Sequence, residues 1–221
     1  MENQTRRFSL EESFMDYDTD DLLYGALQYL ATYHPELHML YLTKKNYTKR
    51  KQELMAICGI DSRGIKRHLD KLIEKGLIKE KKIYVGENKV EYECFTFPYD
   101  TKEKYQIINN EMLWYVVSTR NKHAVRVYIY LLDKYQWKQK DSQEYEFSNK
   151  ELIEALGYSV KGNNTLISSM ISNILESFKR EGVIDYREYY EQRIDNCGRQ
   201  IPMPKKSLCF VASSKNQLKS V

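Results

Sequence analysis

Between residues 48 and 97, the pattern of hydrophobic and polar positions changes from a helical to a strand period. Apolar residues recur every three or four positions from Leu54 to Cys58 and again from Ile65 to Ile73, which predicts two short helices. The segments IYV and VEYECFTF follow, separated by polar residues at 86–89, and they predict a β-hairpin.

Residues that begin and end helices stand at the borders of this pattern. Thr48 is expected to cap the first helix, and Asp61 or Ser62 the second. Gly59 and Gly76 follow the two helices, where a left-handed residue commonly ends a helix. Two helices joined by a tight turn and followed by a hairpin form the order of a winged helix-turn-helix.

The chain before this stretch predicts one more helix. Residues 1–15 are polar and are expected to form a flexible N-terminal arm. The acidic segment from Asp16 to Asp21 suits the start of a helix, because carboxylates favour helix N-termini. Apolar positions from Leu23 to Leu30 form its buried stripe, and Pro35 follows its end.

The second half of the chain repeats the first. ELMAICGI at 53–60 resembles ELIEALGY at 151–158, and a second hairpin follows the second pair of helices. Ser148 and Glu151 form a capping box before the repeated helix. We therefore predict an α+β, mainly helical fold of two tandem winged helix-turn-helix domains. The predicted parts after the arm are domain one at 16–98, a linker at 99–104, domain two at 105–213 and a tail at 214–221.

The small net charge of +4 conceals a strong asymmetry along the chain. Residues 1–42 carry two basic and eight acidic side chains, net −6, and residues 43–89 carry fourteen basic and six acidic ones, net +8. Residues 90–221 are net +2, with nineteen basic and seventeen acidic side chains. A basic block that coincides with a helix-turn-helix predicts a surface that binds nucleic-acid phosphates.

The second helix of the basic block supplies the candidate base-reading residues. Arg63, Lys66 and Arg67 stand in its first turns, the part that reaches base edges in the major groove. Arginine can donate two hydrogen bonds to guanine, whereas lysine acts as a mobile point charge. Lys71, one turn further along, is expected at a phosphate, and the wing lysines are expected at a flanking phosphate or in the minor groove. The remaining candidates in this domain are Ser62, Lys71, Lys49, Arg50, Lys81, Lys82 and Lys89.

The corresponding helix of the second domain has an outer face that is polar and almost uncharged. Its candidate DNA-binding residues are Lys161, Asn163, Asn164 and Thr165. Asparagine can read adenine, but an uncharged polar face suits a protein interface equally well. Weak DNA binding and dimerisation both remain open for this helix.

Other features argue against enzymatic, metal-binding and membrane functions. The N-terminus lacks the apolar core of a signal peptide, so a cytoplasmic location is expected. The four cysteines are far apart and predict buried free thiols. Neither a phosphate-binding loop nor the histidine cluster that a tyrosine nucleophile would need is evident. We therefore expect no catalytic residues, no cofactor and no metal.

The segments GIDSRGIKRHLDKLIEKGLI and EFSNKELIEALGYS also carry a family resemblance. With them, the chain resembles winged-helix proteins of Gram-positive phages and mobile elements over about residues 20–212. It is similar to the N-terminal domains of phage replisome organisers and to tandem winged-helix plasmid replication initiators. The resemblance implies sequence-specific binding to origin or operator repeats in double-stranded DNA, sometimes as a dimer, with replication proteins as possible partners. The uncharged second helix departs from initiators that grip DNA with both domains.

Three function hypotheses follow. The first is a replication initiator or organiser, and the second is a transcriptional regulator whose second domain dimerises. The third, from a different class, is a protein–protein adaptor that binds no DNA.

Overall fold

The chain folds into two compact units, Met1–Arg126 and Val127–Val221. The computed structural model describes residues 5–9, 20–86, 89–98, 105–139, 144–159, 165–194 and 197–212. Over these residues it contains seven helices and nine strands in three sheets. None of the described helices is long and apolar enough to cross a membrane.

The prediction of a mainly helical fold is wrong. About 48% of the described residues are helical and about 33% lie in strands, so the chain is an α+β protein with a large share of sheet. Part of the excess strand comes from the second hairpin, whose two strands have 11 and 12 residues. Another part comes from short pairings near the N-terminus, which hydrophobic periodicity did not reveal.

The first unit contains two sheets and the helices packed on them. Its elements are β1 (Thr5–Ser9), α1 (Asp21–Leu30), β2 (Thr32–His34), β3 (Met39–Thr43), α2 (Lys44–Cys58), α3 (Ser62–Glu74), β4 (Lys79–Val85), β5 (Val90–Phe97), β6 (Tyr105–Asn109) and α4 (Asn110–Ser118). One antiparallel sheet has the strand order β2-β3-β5-β4, and β1 pairs antiparallel with β6 in the other. Leu23, Leu27, Leu40, Leu54 and Phe97 are among its buried core residues.

Strand β1 corrects the prediction that residues 1–15 form a flexible arm. Arg6 and Phe8 are fully buried, and Thr5 lies opposite Asn109 in the pairing with β6. The Arg6 guanidinium donates hydrogen bonds to the carbonyl oxygens of Gln28 (2.7 Å) and Ala31 (2.9 Å) at the end of α1. A cation placed there is stabilised by the unpaired carbonyls of the helix C-terminus. The other arm positions, 1–4 and 10–15, lie outside the described residues.

A capping aspartate and a buried carboxylate fix the start of α1. Asp20 caps the helix by accepting a hydrogen bond from the Leu23 amide (2.9 Å). The Asp21 carboxylate is fully buried, 2.7 Å from His123 Nδ1 and 3.5 Å from the Arg126 guanidinium. The expectation of an acidic helix start is confirmed for these two residues, whereas 16–19 lie outside the described part of the chain.

The second unit has one sheet. Its boundary with the first unit falls inside α5 (Ala124–Gln139), and its other elements are β7 (Tyr145–Phe147), α6 (Asn149–Ala155), α7 (Thr165–Arg180), β8 (Ile184–Ile194) and β9 (Gln200–Val211). The strand order is β7-β9-β8, all antiparallel. The predicted linker, 99–104, and the predicted tail, 214–221, lie outside the described residues.

Aromatic side chains fill the core of this unit. Tyr128 and Phe178 pack edge to face with ring centroids 6.1 Å apart, and Phe147 packs against Tyr186 at 6.3 Å. The buried Tyr128 hydroxyl donates to the Ala212 carbonyl, and burial raises the pKa of this tyrosine. The prediction of four buried cysteines holds fully only for Cys94: Cys58 and Cys209 are half-buried, and Cys197 is exposed.

Candidate nucleic-acid interface

Helix α3 presents one apolar and one charged face. Ile65, Leu69 and Leu72 are buried on one side. Asp61 caps the start of the helix, and its carboxylate accepts a hydrogen bond from the Gly64 amide (2.7 Å). A Cβ at Gly64 would lie 3.1 Å from that carboxylate and 3.2 Å from Ile60 Cβ, so glycine suits the tight packing of the turn against the helix.

The charged face of α3 carries four of the predicted site residues. Arg63, Lys66, Arg67 and Lys71 are all exposed and recur at three- and four-residue spacing, so they share one stripe. Together with Asp70 and Glu74, they line a shallow open concavity. The N-terminal half of this stripe is purely basic, whereas the two carboxylates reduce the positive charge of its C-terminal half. Ser62 is also exposed, at the first helical position.

A histidine links α3 to the start of α1. His68 Nδ1 forms a hydrogen bond with the Asp20 carboxylate, and the Arg67 guanidinium lies 3.3 Å from His68 Nε2. Because arginine can only donate, His68 Nε2 accepts and Nδ1 donates to Asp20 in this arrangement. The contact orients Arg67 while leaving it at the surface. Sequence reasoning missed it because Asp20 and His68 are 48 positions apart.

Helix α2 begins earlier than predicted. Thr43, rather than Thr48, is its N-cap and accepts a hydrogen bond from the Asn46 amide (3.1 Å). Thr48 lies inside the helix, where its hydroxyl donates to the Lys44 carbonyl (2.9 Å). The reason is tertiary: Tyr47 packs edge to face on Phe95 of β5 (5.2 Å) and holds the first turn against the sheet.

Two basic predicted residues of α2 have different surroundings. Lys49 is exposed and, with Lys45, lines a cleft that the hairpin residues Val85 and Gly86 also line. Arg50 is bound within its own helix, because its guanidinium forms two hydrogen bonds with the Glu53 carboxylate. The hydrogen bond from Arg50 lowers the pKa of Glu53.

The hairpin lysines that were predicted to bind DNA have different orientations and surroundings. Lys81 lies opposite Cys94 and Lys82 opposite Glu93, so the two adjacent side chains point to opposite faces of the sheet. Lys82 also forms an ion pair with Glu91 (3.4 Å). Lys89 is exposed in the turn, where its amide donates to the Gly86 carbonyl (3.0 Å). Lys81 and Lys82 therefore cannot both face the same partner surface.

Carboxylates reduce the positive charge where the hairpin meets α2. Lys44 lies 3.1 Å from Glu80 and 3.6 Å from Glu93. The hydrogen bond with Glu80 raises the pKa of Lys44. These acidic hairpin residues were present in the sequence, but only the strand register shows which lysines they face.

Most candidates of the second unit cannot be placed. Lys161, Asn163 and Asn164 lie outside the described residues, and Thr165 is exposed at the start of α7. Ser172 of the same helix accepts a hydrogen bond from the Asn149 side chain of α6 (2.9 Å). Part of the polar face of α7 thus contacts its own unit.

Comparisons with known proteins give no family for this chain. No protein-family model matches it, and no curated protein and no solved structure is significantly similar to it.

Proposed function

We propose that the chain is a double-stranded DNA-binding protein that reads sequence through α3. The observation that carries the proposal is the exposed basic stripe on the N-terminal half of this helix: Arg63, Lys66 and Arg67. The preceding α2, the tight turn at Gly59 and the following hairpin occur in the order used by winged helix-turn-helix proteins.

The chemistry of each position suggests its role in the complex. Arg63 and Arg67 have the planar donors needed for bidentate contacts to guanine O6 and N7, and Lys66 adds a mobile donor between them. Lys71 stands further along the helix, where a phosphate contact fits better. Lys49 of α2 would contact the DNA backbone, which the first helix of such motifs crosses.

The hairpin has a smaller part in this proposal than in the sequence-based prediction. Lys89 at its turn remains a candidate for a flanking phosphate. Lys82 and Arg50 are weaker candidates because each already has a carboxylate partner. Binding DNA would require these pairs to be shared or broken.

The specific role that we propose is replication initiation at origin repeats in the cytoplasm, without catalysis by this chain. Support for it comes from the resemblance to phage and plasmid replication proteins in the segments quoted above. A transcriptional regulator would use the same contacts, and the open edge of the second sheet, described below, favours a dimer in either role.

A salt series tests the DNA-binding proposal. The chain is titrated against the DNA that flanks its own gene and against a scrambled duplex of equal length, by gel shift and fluorescence anisotropy. If about five phosphates are neutralised, the logarithm of affinity should fall with that of salt at a slope of about −4 to −5. Absent binding, or binding that salt does not affect, would contradict the proposal.

A further inference from the structure

Strand β8 lies at the edge of the second unit's sheet throughout its length. In the described part of the chain, β9 separates it from β7, and its outer side has no strand partner. The opposite edge, formed by β9, is protected along its length. Strand β7 pairs with residues 206–208 of β9, and beyond the end of β7 this edge contains Pro202 and Pro204. Proline has no amide hydrogen to offer a further strand, so only the β8 edge can accept a strand along its whole length.

The two prolines also identify which backbone groups of β8 point outward. Tyr190 lies opposite Pro204 and Gln192 opposite Pro202. Since proline cannot donate, these are non-hydrogen-bonded pairs, and the even-numbered residues of β8 direct their amides and carbonyls away from β9. Tyr186 is one of these even-numbered residues, and its outward-pointing carbonyl accepts a hydrogen bond from Lys179 Nζ of α7 (2.8 Å). That oxygen keeps a second lone pair for a neighbouring strand.

The sequence of β8, IDYREYYEQRI, complements itself in charge when it is read in both directions. Antiparallel pairing of two copies about Tyr189 places Asp185 opposite Arg193 and Arg187 opposite Glu191. Each of these contacts occurs twice because of the two-fold symmetry. All four side chains are at least 41% exposed, although each also has a partner within its own chain.

Neighbouring registers are disfavoured. If the two-fold axis passed through Glu188, Asp185 of one copy would lie opposite Glu191 of the other. If it passed through Tyr190, Arg187 would lie opposite Arg193. Like charges directly opposite each other destabilise a sheet. The charge pattern therefore selects one register for self-pairing.

Exposed apolar side chains of β8 share one face of the sheet, where edge pairing would place them beside side chains of the partner strand. Tyr190 is 70% exposed and Ile194 is 73% exposed. Both share the face of Ile184 and Tyr186, which are buried nearer the body of the unit. In the selected register, Ile194 of one copy would lie opposite Ile184 of the other, so the projecting end of each hairpin would pack beside the partner's core.

We propose that two copies of the chain associate through antiparallel β8–β8 pairing about a two-fold axis at Tyr189, which joins their three-stranded sheets into one of six strands. The charged pairs set the register, and Tyr190 and Ile194 supply apolar contact. The proposal is independent of the proposed DNA-binding function.

Two charge-reversal variants of β8, measured alone and as a mixture, test the proposal. Asp185→Arg creates arginine–arginine contacts in its homodimer, and Arg193→Glu creates aspartate–glutamate contacts. In sedimentation velocity experiments on full-length chains, the wild type should dimerise, and each variant should do so about tenfold or more weakly. An equimolar mixture should dimerise again, because both contacts of the heterodimer pair opposite charges.

The mixture also distinguishes charge repulsion from misfolding as the cause of weak dimerisation, because two unfolded variants would not dimerise when they are mixed. A monomeric wild type, variants that dimerise unchanged, or a mixture that stays monomeric would each overturn the proposal.

Cysteine cross-linking tests the register independently. With Cys197→Ser to remove the exposed thiol, Tyr189→Cys should form an intermolecular disulfide on mild oxidation, because the two copies of residue 189 face each other across the axis. Tyr190→Cys is the matched control, since residue 190 would face residue 188 of the partner. Equal cross-linking of both variants, or none at position 189, would contradict the register.

Discussion

Asp21 shows how strongly a single buried charge can constrain the first unit. Its carboxylate has no solvent exposure and is held by His123, by the Arg126 guanidinium and by the Arg126 amide (2.9 Å). Burial alone would raise the pKa of Asp21, but the hydrogen bond from His123 and the charge of Arg126 outweigh burial and hold the pKa below its usual value. The ionised form is therefore the one that stabilises the fold.

We expect Asp21→Asn to lower the free energy of unfolding by about 3–5 kcal/mol at neutral pH, because it leaves a buried cation without its counter-charge. The pH dependence follows from the lowered pKa. The contribution of Asp21 is present above the pKa of an unfolded aspartate and is lost as the pH falls through the lower folded value. Urea unfolding across pH should show this acid-dependent loss in the wild type and a smaller one in the variant.

The control for Asp21 is the same chemical change at an exposed carboxylate. Asp70→Asn should alter stability by less than about 0.5 kcal/mol. An Asp21→Asn variant as stable as the Asp70→Asn control would show that the buried cluster does not stabilise the unit.

At the scale of elements, helix α3 depends on the cap that starts it. Asp61 satisfies an amide in the first turn, but it also places a negative charge next to Arg63 and the proposed DNA surface. The two effects oppose each other, since the cap stabilises the helix whereas the carboxylate repels phosphates.

Two substitutions at Asp61 separate these effects. Asp61→Ala should cost about 0.5–2 kcal/mol of stability because the cap is lost. Asp61→Ser keeps a hydrogen-bond acceptor, so its stability should stay within about 0.5 kcal/mol of the wild type while its affinity for DNA rises at low salt. Urea unfolding and anisotropy titrations measure both quantities. Equal stability of the two variants would exclude the capping role.

Elements specified by local sequence were predictable, and those that depend on distant contacts were not. The glycine at 59 has a φ of +66° and ends α2 as its position in the sequence suggests. The cap at Thr43 was missed because the packing of Tyr47 on Phe95 selects it. Strand β1 was missed because its partner β6 lies about a hundred residues later in the chain.

The candidate site shows the same division. Helical periodicity alone places Arg63, Lys66 and Arg67 on one face of α3. The Arg50–Glu53 pair could have been read from the three-residue spacing along a helix. By contrast, the Lys82–Glu91 pair and the opposite orientations of Lys81 and Lys82 depend on the strand register, which the sequence pattern did not define.

At the scale of the whole molecule, both units contain a helix, then one or two short strands, then two helices and a hairpin; the short strands number two in the first unit and one in the second. Both hairpins carry exposed apolar residues, but the helix before the hairpin carries a basic stripe in the first unit, whereas the edge strand of the second unit carries a self-complementary charge pattern. This difference is the basis for proposing that the first unit binds DNA and that the second pairs with another copy.

The most direct measurement of the central claim compares two triple variants in DNA titrations. One replaces Arg63, Lys66 and Arg67 with alanine, and the other replaces the exposed cations Lys122, Lys150 and Arg180 elsewhere. Both lower the net charge by three, and urea unfolding checks that each is folded. If α3 reads the DNA, the first variant should lose about a hundredfold or more in specific affinity, since each bidentate arginine–guanine contact is worth about 1–3 kcal/mol. The second should lose much less. Equal losses, or full retention by the first variant, would contradict the claim.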